Sequence, residues 1–258
     1  MSSGNVVCRT ALLILGLFVT ATAVAEDLTF DSDGVEIRYQ LEGSGEPVLL
    51  IHGYSASGDM NWRLGGVVDA LAESYRVILI DNRGHGRSEK PTDPDDYGVE
   101  MVEDAFRLLD HLEIDSAHWV GYSMGGMITL KALTMSPERL RTAVISGMGW
   151  TRNDPATRER FQKGEGRGSE ALKACYRGFG ELGVSREQLL AIQRPVHLIV
   201  GSEDGLYESS VKPLREVRPD FRLDLLEGAN HVTAPIHADL SSRILDALVA
   251  GPEGTTER

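Results

Sequence analysis

Cysteine is scarce in this chain. It has two, Cys8 and Cys175, and Cys8 falls in an N-terminal segment expected to be removed. A single remaining thiol cannot close an internal disulfide, so the fold must rest on its apolar core. No reactive-thiol signature surrounds Cys175. The stretch "ALKACYRGF" reads as an amphipathic helix with Cys175 on its apolar side, which points to packing. Positive charge is also short, with 26 Lys and Arg against 39 Asp and Glu and a formal net charge of −13. Such a chain is repelled by nucleic acid and by anionic lipid, so neither is an expected partner. Aromatic residues make up only 6% of the chain. There is no internal repeat, and low-complexity sequence is confined to the tail "GPEGTTER", expected to fray. No pattern asks for a metal or a cofactor.

What is present is the composition of a globular protein, 258 residues with 41% apolar and 25% charged. The first 25 residues differ from the rest: Arg9 is their one charged side chain, and no acid appears before Glu26. The apolar run "ALLILGLFVTATAV" ends in Ala23-Val24-Ala25, the small-x-small pattern of a signal-peptidase site. The run is shorter than the ~20 residues that span a bilayer. A secretory signal over residues 1–25 is therefore expected, with export to periplasm or exterior and no stable membrane anchor. Residues 26–258 are left as the mature domain.

After a short hairpin, with strands Leu28–Phe30 and Val35–Leu41 around "DSDG", strands and helices alternate. Six apolar stretches read as further strands, most of them buried: "PVLLI", "RVILI", "AHWVGY", "TAVISG", "VHLIV" and "FRLDLL". "VVDALAESY", "GVEMVEDAFRLLDHL" and "MITLKALTM" have helical spacing, and a last helix is expected from about Ile236 to Leu248. Strands separated by helices predict a mostly parallel, doubly wound eight-stranded sheet with helices on both faces. From about residue 150 to 194 the alternation lapses. A helical set there (Leu172, Cys175, Tyr176, Phe179) and a capping box at "SREQ" predict a small helical cap overhanging the strand C-termini.

The most informative stretch is "WVGYSMGGM". Ser123 stands between Gly121 and Gly125 at a strand-to-helix junction. So tight a turn strains the apex residue and leaves no room for Cβ atoms beside it. It also lifts the hydroxyl clear of its surroundings, beside the Met124 N–H and the positive end of a helix. This is the G-x-S-x-G elbow of a nucleophile. A serine hydroxyl needs a base. Of seven histidines, His231 in "EGANHVTAP" lies between the last strand and the last helix, on the edge where Ser123 emerges, with His85 a distant second. The base needs an acid to hold it. Asp204 in "VGSEDGL" follows a strand on that same edge, with Asp154 in reserve. Backbone N–H groups of Met124 and of Tyr54, in the loop "HGY", are the expected oxyanion donors.

Together, "HGY" (residues 52–54), "DNRGHGRS" (81–88), "GYSMGG" (121–126), "GSED" (201–204) and "GANH" (228–231) resemble the α/β-hydrolase superfamily over about residues 28 to 250. The resemblance implies the α/β-hydrolase fold, a Ser123–His231–Asp204 triad and a two-step acyl mechanism on a small-molecule acyl substrate with water. Asp81, Arg83 and Gly84 match a structural turn of that family. Serine at the elbow argues against the dehalogenase and epoxide-hydrolase branches. The short cap and few aromatics point to small or medium acyl groups. The leading expectation is a carboxylic-ester hydrolase. A C–C bond hydrolase, lactonase or perhydrolase with the same residues is the alternative, and a weakly catalytic ligand-binding module is a third.

Overall fold

The computed structural model describes residues 26–250, so the expected signal segment and the C-terminal tail lie outside the described residues. The chain opens with a hairpin, β1 (Leu28–Ser32) and β2 (Val35–Glu42). Its turn places Asp33 and Gly34 at φ of 55° and 84°, the left-handed pair that matches strand twist in a two-residue hairpin. Six more strands follow: β3 (Glu46–Ile51), β4 (Tyr75–Ile80), β5 (Ala117–Tyr122), β6 (Leu140–Ser146), β7 (Val196–Gly201) and β8 (Arg222–Leu226). They form one sheet in the order β1-β2-β4-β3-β5-β6-β7-β8, parallel throughout except where β2 meets β1 and β4.

Apolar residues alternate along these strands between two cores. Leu49 and Ile51 of β3 join one, with α2 (Val99–His111) and α3 (Met124–Met135). Val48 and Leu50 join the other, with α1 (Val67–Ala72) and the final helix α8 (Leu240–Val249). Because both faces are covered, the central strands are almost wholly apolar. The final helix begins at Leu240 rather than near Ile236, because Ala234–Ile236 form a separate tight turn with Pro235 inside it. Between β6 and β7 lie the cap helices α4 (Pro155–Lys163), α5 (Glu170–Gly178) and α6 (Arg186–Ala191). The predicted capping box closes on α6: the Gln188 N–H donates to Ser185 Oγ (3.2 Å), and the Ser185 N–H donates to Gln188 Oε1 (2.9 Å). The remaining helix, α7 (Lys212–Val217), precedes β8. No described helix is long and apolar enough to cross a membrane.

The strand order decides where a ligand can sit. From β3 the chain moves outward to β4, then crosses back to β5 on the other side of β3. Loops leaving β3 and β5 thus diverge and open a crevice at their C-terminal ends. Ile51 pairs with Gly121, so the loop after β3 and the serine turn after β5 emerge side by side.

Candidate active site

Ser123 has φ 52° and ψ −110°, a conformation that costs a residue with a side chain about 1–3 kcal/mol. Close packing enforces it. A Cβ on Gly121 would lie 2.1 Å from the Gly125 carbonyl oxygen, and one on Gly125 would lie 2.1 Å from the Ile51 oxygen. The Ser123 N–H is tied to the Ser146 carbonyl at 2.8 Å. The hydroxyl is held out at the N-terminus of α3, and that helix begins at Met124, directly after the serine and earlier than "MITLKALTM" alone indicates.

On the far side of the crevice, pairing of Gly201 with Leu226 aligns the ends of β7 and β8. The loops beyond them are joined by the Glu203 N–H, which donates to the Ala229 carbonyl at 2.9 Å. The result is a chain of three side chains. The Ser123 Oγ lies 2.9 Å from His231 Nε2, and His231 Nδ1 lies 2.8 Å from Asp204 Oδ2. The Asp204 side chain is fully buried, while that of His231 is 35% exposed. An ionised carboxylate only accepts, so the imidazole proton sits on Nδ1 and bare Nε2 accepts from the serine hydroxyl. The other Asp204 oxygen accepts the Leu206 N–H at 2.9 Å, which fixes the carboxylate plane. Such a relay can move a proton from serine to imidazole without moving a backbone atom. Asp154, the reserve acid, is spent elsewhere: its carboxylate caps α4 by accepting the Thr157 N–H at 2.7 Å. His85 is also engaged, with Nδ1 donating to the Arg83 carbonyl at 2.9 Å.

The loop after β3 is organised by buried His52. The Asn82 N–H donates to its Nε2 at 3.0 Å, so Nδ1 carries the proton and donates to the Gly53 carbonyl at 2.7 Å. Burial holds the His52 pKa below its ordinary value. The Gly53 carbonyl also accepts the Ala56 N–H at 3.3 Å. In a trans peptide the following N–H points opposite to that carbonyl, so the Tyr54 N–H is turned away from the His52 ring. The Gly53 N–H is consumed by Asn61 Oδ1 at 2.7 Å. Among the described residues no protein group accepts the Tyr54 or the Met124 backbone N–H. A Cβ on Gly53 would come within 3.2 Å of Ser123 Cβ, so this loop touches the elbow itself.

The cap grips both Tyr54 and Met124 by their side chains. The Tyr54 hydroxyl bonds to the Leu172 carbonyl at 2.9 Å and to the Arg167 carbonyl at 3.0 Å. Its ring packs edge-on against Phe179, 5.4 Å between centroids. Cys175 is fully buried, with its sulfur 3.7 Å from that of Met124 and 3.8 Å from that of Met101, and burial raises its pKa far above the usual thiol range. Below the elbow, Asp81 accepts the Gly58 N–H at 2.8 Å and the Arg87 N–H at 2.9 Å. Gly86 is required there, since at φ 48° a Cβ would lie 2.1 Å from an Asp81 oxygen. Arg83 pairs with Asp104 through two 2.7 Å bonds.

Two residues of the site carry no sequence signal. Asn61 sits in an unremarkable segment, and its role appears only when Gly53 is seen against it. Tyr122 is hidden inside the elbow motif. Its hydroxyl donates to the His231 carbonyl, and its ring lies 5.4 Å from the imidazole. Among the described residues no group of three or more His, Cys, Asp and Glu is placed to hold a metal.

Comparison with known proteins agrees with this fold. The family model described as alpha/beta hydrolase fold matches residues 46–167. The chain is 35% identical over 127 residues to a putative carbamate hydrolase, RutD, of Azorhizobium caulinodans, covering 49% of this chain and 46% of the relative. It is 40% identical over 116 residues to 2-hydroxymuconate semialdehyde hydrolase of a Pseudomonas species, covering 44% and 40%. The matched stretch thus spans less than half of these curated relatives. Among solved structures, an epoxide hydrolase mutant of Vigna radiata superposes with TM-score 0.74 at 20% identity over 87% of this chain and 98% of that one. The enol-lactonase of Burkholderia xenovorans superposes with TM-score 0.71 at 20% identity over 86% and 100%. At that identity the likeness is one of fold. The sheet order, the serine elbow and the family match lead to one assignment: the chain belongs to the α/β-hydrolase superfamily.

Proposed function

We propose that the protein is a serine hydrolase that cleaves a small or medium carboxylic ester through an acyl-enzyme. The supporting observation is the relay from Ser123 through His231 to buried Asp204, at 2.9 and 2.8 Å, beside two backbone N–H groups, of Tyr54 and Met124, that no protein group among the described residues accepts. In this reading His231 takes the Ser123 proton as the hydroxyl oxygen attacks the ester carbonyl. The Tyr54 and Met124 N–H groups receive the oxyanion. His231 then returns the proton to the leaving alcohol. Water, deprotonated by His231 in turn, releases the acid and restores the serine. Asp204 holds the imidazole tautomer and stabilises its charged form. The chemistry needs no metal or cofactor, and the N-terminal segment supports export as the setting.

A second reading keeps the same residues and cleaves a C–C bond or a lactone; the identity to 2-hydroxymuconate semialdehyde hydrolase favours it. Turnover of p-nitrophenyl acetate beside a panel of lactones and β-diketones separates the two. The first reading expects the ester to be the best substrate, with loss of turnover in Ser123→Ala. Ester turnover that persists in Ser123→Ala contradicts both.

A further inference from the structure

The exposed apolar side chains of this protein are not scattered. Seven large hydrophobic residues are exposed among the described residues, and four of them, Met60, Leu64, Val232 and Ile236, line one cavity. That cavity holds about 370 Å³, and Ser123 and His231 lie in its wall. Met60 and Leu64 come from the turn after the His52 loop, and Val232 and Ile236 from the segment after His231. Leu64 is 74% exposed and Val232 82%, values that cost solubility with no return in packing. The two lips meet closely: a Cβ on Gly65 would lie 2.2 Å from the Pro235 carbonyl oxygen.

Two further features define what fits. Apart from His231, no titratable group but the Tyr54 and Tyr122 phenols lines this cavity, in a chain in which 25% of residues are charged. Clefts beside the cap differ: one of about 530 Å³ carries Glu100, Arg177 and Glu181, and one of about 410 Å³ carries Arg152, Asp154 and Arg160. Nor does any cap residue line the cavity at the serine, since the cap is tied down on Tyr54 and Met124. The serine therefore opens sideways, between the lips, onto an apolar groove.

We infer that this groove seats the substrate's hydrocarbon chain, and that the substrate class is an uncharged ester with an unbranched apolar chain. The inference rests on the hydrolase reading above, because the groove ends at Ser123 and whatever lies in it is joined to the reacting carbonyl. Met60, Leu64, Val232 and Ile236 are then specificity residues. A carboxylate in the chain would lose its hydration here and gain no cation.

The test uses p-nitrophenyl esters from acetate to decanoate and the matching alkyl acetates, all below their solubility limits. Full burial of one methylene is worth roughly a three- to fourfold gain. In a groove open along one side, kcat/KM should rise at least about tenfold from acetate to octanoate in one of the two series. Leu64→Ser and Ile236→Ser should flatten that rise, and Leu190→Ser, an exposed apolar residue on α6, should not. Binding is read separately by calorimetry in Ser123→Ala, where p-nitrophenyl octanoate should bind at least about tenfold more tightly than the acetate. Acetate turnover with both series flat overturns the groove and leaves the hydrolase reading standing. Chain-dependent binding with no ester turnover in the wild type overturns the hydrolase reading and leaves the groove. A rate that climbs only when the ester is carried on phosphatidylcholine vesicles overturns the single-chain groove and points to a lipid surface.

Discussion

Two histidines stand at the C-terminal edge of this sheet and do opposite things. His52 follows β3 and is wholly buried; His231 follows β8 with a third of its side chain in solvent. Each imidazole is engaged through both ring nitrogens. His52 is bonded to backbone on both sides, to the Asn82 N–H and the Gly53 carbonyl. His231 is bonded to side chains, Ser123 and Asp204. Backbone partners can only hold a ring, whereas a hydroxyl can hand its proton to the imidazole while a carboxylate holds the ring and stabilises its charge. The same residue type thus fixes a backbone loop in one place and joins a serine to a carboxylate in the other.

The contrast can be broken from either end. Replacing His231 with Gln removes the base but not the fold, and ester turnover should fall by at least about 10⁴-fold; steady-state kinetics with an unchanged circular dichroism spectrum is the check. Replacing His52 with Leu frees the Gly53 carbonyl and with it the Tyr54 N–H. The expected cost is that of a lost oxyanion donor, about 10²–10³ in kcat with KM little changed. An effect confined to KM would show that the loop only binds.

Acid acts on two buried histidines, His52 and His85, through stability. Burial lowers the pKa of His52, and burial lowers that of His85 to about 3. The unfolded chain therefore takes up protons near pH 6.5 that the folded protein refuses, and stability falls as pH falls below that value. Each of the two contributes a slope of up to about 1.4 kcal/mol per pH unit. Urea titrations at pH 7 and pH 5.5 should show the loss, and His85→Asn should reduce it. The smallest effect expected is at Tyr122, whose hydroxyl holds the His231 carbonyl. Tyr122→Phe gives up one hydrogen bond, worth about 1 kcal/mol. It should slow kcat about fivefold with an unchanged circular dichroism spectrum.

Much of this was legible in the residues. The central strands were visible because a sheet covered on both faces demands unbroken apolar runs such as "PVLLI" and "RVILI". The elbow was visible because two glycines around a serine at a strand end have few other uses. Strand order was not, since pairing of β3 with both β4 and β5 joins segments far apart and leaves no local pattern. The start of the last helix was misplaced because Val232 through Ile236 keep helical spacing while Pro235 turns the chain. The cap's footing on Tyr54 and Met124 was not visible, because those contacts depend on three dimensions. The apolar lips were invisible for the same reason, because an exposed leucine means nothing until its neighbours are known.

Treatment with a fluorophosphonate, followed by mass-spectrometric mapping of the labelled peptide, tests the central claim most directly. The account predicts a single adduct on Ser123, formed rapidly in the wild type and slowly in His231→Gln. Labelling at any other residue, or an unlabelled protein that still turns over ester, would contradict it.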